Sequence, residues 1–175
     1  MDKKFYYFYA LIAALMLLLP FSASYAEEGE PIPVKKLADV SEMEIKTEPL
    51  VIQTADGRAE VFQIEKAADP KSRERGLMDR HSMDKNEGML FLFDDEEVRY
   101  FWMKNTYIPL DMLFISADGT IAHIHHNARP QDETPISSKA PVSAVLEIKG
   151  GVSRELDIKE GDKVLSKAFG NTLAH

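Results

Sequence analysis

Two Asp-Gly pairs, Asp56-Gly57 and Asp118-Gly119, each stand between two short apolar runs. Such a pair supplies the positive φ that tight hairpin turns need, so each marks a place where the chain doubles back between strands. The first joins LVIQT, starting at Leu50, to AEVFQIEKA. The second joins DMLFIS to TIAHIHH. The other apolar runs are equally short: MLFLF from Met89 to Phe93, VRYFWM after a charged DDEE turn, VSAVLEIK from Val142 to Lys149, and a closing KVLSKAF. Two stretches read as helix. In DPKSRERGLM, Asp69 is a fair N-cap, Pro70 suits the first turn and Gly76 can end it. VSRELD follows Gly150-Gly151. Arg73, Glu74, Arg75 and Glu155 read as the surface of these helices, and Asn127 to Pro141, with three prolines, reads as a long loop. Many short strands and two short helices predict a mainly β fold, a compact antiparallel β-sandwich or barrel.

The two ends of the chain have a different texture. Lys3 and Lys4 precede an uncharged run that passes through Pro20 and ends in Ser24-Tyr25-Ala26. A basic start, an apolar middle and small residues before a cut form a secretory signal peptide. Its strongly apolar part, Phe5 to Leu19, is shorter than the roughly 20 residues of a spanning helix. The expectation is cleavage after Ala26 and no membrane span in the mature chain; an uncleaved N-terminal anchor is the alternative. Residues 27–48 are charged, carry two prolines and show no sustained period, which predicts a flexible arm. Residues 49–168 then form one domain and 169–175 a tail. The implied location is outside the cytoplasm, in the periplasm or, alternatively, the medium. There is no cysteine, so stability must come from the core and not from disulfides.

Charge narrows the classes of partner. Loss of Asp2, Lys3 and Lys4 takes the chain from 21 basic and 29 acidic residues to 19 and 28, a net of −9. That argues against nucleic acid, which attracts basic surfaces, and against an anionic membrane face. A small molecule or an envelope protein remains as the partner.

The stretch FWMKNTYIPLDMLFI, Phe101 to Ile115, places polar groups inside an apolar run that holds the chain's only tryptophan. Alternation puts Val98, Tyr100 and Trp102 on one face and Arg99, Phe101 and Met103 on the other. Both faces are large and mostly apolar, which predicts a central strand. Asn105 tolerates the backbone angles of a turn, and Pro109 interrupts pairing. On one reading Lys104 to Pro109 is a connection, and Asp111 opens the next strand and accepts hydrogen bonds from turn amides. On the other, Lys104, Asn105 and Asp111 point together into a cleft walled by Trp102 and Tyr107, since pockets pair an apolar wall with a few fixed polar groups.

The words Gly76-Leu77-Met78, Arg80, Glu87 to Phe91, Phe101 to Thr106, Pro109 to Met112, Phe114-Ile115 and Asp118-Gly119 occur in this order. Ala144 to Glu147, Gly150-Gly151 and Ile158 to Asp162 follow. Together they resemble the signature of a family of small bacterial proteins, number 192 among the domains of unknown function. The likeness runs from about Leu50 to Ser166. It implies a jelly-roll-like β-sandwich and an unassigned biochemical role. It implies no catalytic residue, but Arg80, Lys104, Asn105 and Asp111 match its polar positions and join Trp102 and Tyr107 as candidate ligand-binding residues.

No cofactor is evident. His123 and His125 share one face of a strand, with His126 on the other, and two imidazoles can begin a copper or zinc site if a third donor exists. Six methionines outside the signal peptide would suit copper(I), although thioethers in apolar runs are more commonly core. There is no Gly-x-Ser-x-Gly elbow and no cysteine nucleophile. Asp111 as a base beside Lys104 leaves a small hydrolase or transferase possible in principle. The expectation is an exported binding or accessory module of the envelope with a ligand cleft near Trp102.

Overall fold

The computed structural model describes residues 47–172. The signal peptide expected over 1–26, and the arm expected over 27–48 except for its last two residues, lie outside the described residues. Seven strands are present: β1 (Glu48–Gln53), β2 (Ala59–Ala67), β3 (Glu87–Phe101), β4 (Leu110–Ile115), β5 (Ile121–Ala128), β6 (Ile136–Lys149) and β7 (Lys163–Leu165). Two helices, α1 (Pro70–Arg75) and α2 (Val152–Glu155), and a 3-10 turn, Lys167–Phe169, complete the fold. The tail expected from residue 169 therefore begins inside a helical turn.

The strands form one mainly antiparallel sheet in the order β5-β4-β6-β3-β2-β1-β7. Both Asp-Gly hairpins form as the sequence predicts, Gln53 facing Ala59 in one and Ile115 facing Ile121 in the other. One pair departs from the antiparallel expectation: β2 runs parallel to β3, with α1 and its following loop as the crossover. The sheet curls until its end strands meet at one corner, where Thr120 bridges Lys163, the Ile121 amide donates to the Asp162 carbonyl (2.9 Å) and the Val164 amide to the Gly119 carbonyl (2.8 Å). The result is barrel-like. Gly119 is required at this corner, because a Cβ would stand 2.6 Å from the Val164 carbonyl oxygen and its φ is +82°.

Alternation splits the apolar residues between two cores. Leu50, Ile52, Phe62, Ile64, Leu90, Leu113, Ile115, Leu146 and Val164 fill the inside of the curl. Met89, Phe91, Leu110, Met112, Phe114 and Val145 point outward from the same strands and pack under Leu77, Met83, Met103 and Ile108 from the connections. β4 is thus buried at every position. Burial on both faces is what lets its run read as continuously apolar.

Three expectations change. DDEE is not a turn: β3 is a single strand whose pairing with β6 shifts register between Leu92 and Glu97, so the charged residues form an exposed bulge while the strand keeps its direction. Nor is Pro141 in a loop. It lies within β6, opposite Val98 at a second register irregularity. β4 reaches only as far as Ala144, so a missing donor is tolerated there. Finally, β3 is central only in its first half. β2 pairs with it no further than Phe91, and Val98, Tyr100 and Trp102 remain exposed, Tyr100 at 68% and Trp102 at 51%. KVLSKAF supplies a strand of only three residues.

Candidate functional site

The second half of β3 forms one wall of a cleft of about 590 Å³. Its other walls are α1, the Gly76–Met78 loop and the start of the connection to β4. Local sequence sets each wall. The Asp69 carboxylate accepts from the Lys71 and Ser72 amides, and Ser72 Oγ accepts from the Asp69 amide, a capping box that starts α1 at Pro70. The helix then aims Arg73 back at the sheet. Arg73 Nη1 donates to the Ala68 carbonyl (2.6 Å) and the Leu92 carbonyl (2.8 Å), and its guanidinium lies 5.3 Å from the Phe93 ring centroid. Arg99 covers the same ring at 4.1 Å. Its terminal nitrogens pair with Asp95 and Glu97 on the bulge, while its buried Nε has no partner among the described residues. Phe101 meets Phe91 edge-on at 5.1 Å, which gives the cleft an aromatic lining.

Glu147 lies at the floor. It sits near the C-terminal end of β6, flanked by Met89 of β3 and Met112 of β4. The same row across the outer face continues to Glu65 on β2 and His125 on β5. Glu147 is 4% exposed, and burial alone pushes its carboxyl up to about 8; no hydrogen bond contributes. The side chain is therefore a neutral carboxylic acid in neutral solution, a donor as well as an acceptor, at the bottom of a cleft.

Of the residues singled out from the sequence, Trp102 and Lys104 line this cleft, with Lys104 Nζ 5.4 Å from the Trp102 ring centroid. The others lie elsewhere. Asn105 holds a left-handed turn (φ +52°), and its carbonyl accepts from the Asp79 amide at 2.8 Å. Tyr107 stacks on His81 at 4.5 Å. Arg80 pairs with Glu65. Asp111 is wholly buried and does what its turn reading predicts: it accepts from the amides of Asn127 (2.7 Å), Gly151 (3.0 Å) and Ser153 (2.9 Å) and from Ser153 Oγ (2.6 Å). A carboxylate has about four lone-pair sites, and all are used. It caps α2 from another strand and ties β4 to β5.

His123 and His125 do share a face. His123 Nδ1 lies 2.7 Å from Glu160 and its ring stacks on Phe114, while burial holds His125 below its ordinary value. His126, on the other face, meets Ser153 Oγ at 2.8 Å. Among the described residues no cluster of three or more histidine, cysteine or acidic side chains could hold a metal ion.

Sequence reasoning missed Glu147, Arg73 and Arg99. No signal in the sequence marked Glu147: in AVLEIK its alternating set also holds Lys149, so the two read as a polar face, and the burial comes from the neighbouring strands that bring Met89 and Met112 to either side. Arg73 belongs to the helix face turned toward Phe93, not to the solvent face.

The sequence matches the model of the family DUF192, described as an uncharacterized ACR, over residues 51–166. A solved structure from Sinorhizobium meliloti 1021, provisionally described as a transcription regulator, is 44% identical with a TM-score of 0.69; the match covers 71% of this chain and 96% of that one. A protein of unknown function from Novosphingobium aromaticivorans DSM 12444 is 40% identical with a TM-score of 0.68, over 71% and 88% of the two chains. No curated protein matches.

Proposed function

Given that the chain belongs to the DUF192 family of uncharacterized proteins, we propose that it is an exported, non-catalytic binding module of the cell envelope, with a small-molecule ligand in the cleft beside Trp102. The observation that carries this reading is the Glu147 carboxyl, 4% exposed and without a hydrogen-bond partner among the described residues, at the floor of a cleft whose apolar lining includes Leu77, Met78, Phe91 and Phe101. A few fixed polar groups in an apolar concavity are the usual composition of a small-molecule site. Export rests on the basic, apolar and small-residue succession over residues 1–26.

A base at Asp111 is disfavoured because both its oxygens are committed to holding α2. Metal handling at His123 and His125 lacks a third donor among the described residues. The regulator description of the Sinorhizobium protein is not carried over, since a net charge of −8 opposes a phosphate backbone. The test is native mass spectrometry on protein purified from its own periplasm, with the N-terminus sequenced. The expected result is a chain beginning at Glu27 with a discrete extra mass. A bare chain that also shows no saturable change in Trp102 fluorescence across a small-molecule set would overturn the binding reading, and a cytoplasmic chain beginning at Met1 would overturn export.

A further inference from the structure

The polar and apolar features of the cleft together restrict what it can hold. Arg73, Arg99 and Lys104 line it against a single ionised acid at most, Glu74, in a chain whose net charge is −8. Arg99 is already balanced by Asp95 and Glu97, but Arg73 and Lys104 form no ion pair among the described residues. The cleft is therefore a cationic spot on an acidic protein, which favours an anion. The apolar rim of Val98, Tyr100 and Trp102 stays exposed. A free phosphate would leave that rim uncovered, whereas an amphipathic body would cover it. At the floor, the Glu147 carboxyl has no hydrogen-bond partner among the described residues and offers an O–H. The strongest acceptor for such a donor is an ionised oxygen, because charge-assisted bonds are roughly twice as strong as neutral ones.

From these three features we propose that the cleft takes an amphipathic monocarboxylate, its carboxylate seated on Glu147 and sharing that proton, its apolar body running past Phe91 and Phe101 to the Tyr100–Trp102 rim. This rests on the reading of the cleft as a small-molecule site and adds the chemistry of its ligand. An ammonium head would face the three cations.

Proton sharing makes binding depend on pH. Ionised Glu147 would repel the ligand, so affinity falls about tenfold per pH unit once pH exceeds about 8. The groups facing Glu147 are the apolar Met89 and Met112 beside it, then Glu65 (paired with Arg80) and His125 at the ends of its row, and Arg73, Glu74, Arg99 and Lys104 in the cleft. His125, held below its ordinary value by burial, is neutral throughout that range.

Trp102 is the only tryptophan and lines the cleft, so its fluorescence reports occupancy directly. The experiment titrates the protein with octanoate, octanamide and octylammonium between pH 6.5 and pH 9.5 (roughly the span needed for a one-proton slope), on wild type and Glu147→Gln, with circular dichroism confirming the fold at each pH. The expected result is octanoate binding at least about tenfold more tightly than octanamide at neutral pH. That preference disappears at the alkaline end in wild type, and the octanoate profile of Glu147→Gln is flat. Equal binding of all three probes overturns the carboxylate assignment and leaves the cleft as a small-molecule site. Preference for octanoate without the alkaline loss overturns the seat on Glu147. No saturable signal with any probe overturns both the assignment and the binding function.

Discussion

Replacing Glu147 by glutamine keeps the shape of a side chain while removing its acidity, and stability against pH then reads that acidity alone. In the unfolded chain the carboxyl titrates near 4.5; in the folded protein burial pushes it to about 8. Below 4.5 both states hold the proton, and above 8 both have lost it. Between them only the folded state keeps it, so unfolding releases a proton and wild-type stability falls as pH rises across that window. At about 1.4 kcal/mol per pH unit, the interval from 4.5 to about 8 amounts to about 5 kcal/mol. That is a large part of the 5–15 kcal/mol that holds typical domains together. Glutamine does not titrate, so the variant lacks this loss. Urea unfolding at half-unit pH steps should show the variant gaining on wild type by about 1.4 kcal/mol per unit between about pH 5 and 8, then a constant difference. With slopes of about 1–3 kcal/mol/M in urea, the midpoints separate by about 2–5 M at the alkaline end. Stability curves that stay parallel through this range would refute a buried, neutral Glu147.

Asp111→Asn replaces two of four acceptor sites with donors facing amides, and should cost about 3 kcal/mol or more in urea unfolding while leaving octanoate affinity of the folded protein unchanged; an unchanged midpoint would deny its capping role. Gly119→Ala should cost well beyond the roughly 1–2 kcal/mol of its left-handed backbone, because the new Cβ meets the Val164 carbonyl oxygen at 2.6 Å and Asn171 Nδ2 at 2.7 Å. Gly57→Ala, also at positive φ but with nothing within 4 Å, should cost the backbone contribution only, and equal thermal shifts for the two would show that the corner is not closed as described. Gly150→Ala places a Cβ 2.7 Å from Asn127 Oδ1 and 2.8 Å from Pro109, so it should lower the melting temperature by several degrees, read by calorimetry.

The hairpins were legible because Asp-Gly pairs carry a backbone requirement that tertiary packing does not override. DDEE misled for the opposite reason: a run of acids reports exposure, and exposure is equally compatible with a turn or a bulge in a continuing strand. Pro141 misled because its cost depends on whether a neighbouring strand reaches it, which one sequence does not display. Within the opening of the FWMKNT stretch, residues adjacent in sequence were expected to act together, yet the chain turns at Asn105 and sends Lys104 and Tyr107 to different surroundings. Asp111 was read both as a turn acceptor and as a cleft residue; its four bonds select the former. Glu147 was concealed by being one acid in a strand recognised for its apolar residues.

The corner where β5 meets β7 joins residues far apart in the chain, Gly119 with Val164 and Ile121 with Asp162, through a handful of backbone bonds between the two end strands. Breaking them leaves the pairing of β3, β4 and β6 intact. In deuterium oxide, then, the amides of Ile121, Gly161 and Val164 should exchange through a partial opening well below the global unfolding free energy, while those of Leu113 and Leu146 wait for the whole domain. The barrel is thus a loop of strands with a clasp, and solvent reaches its inner core at the rate the clasp undoes.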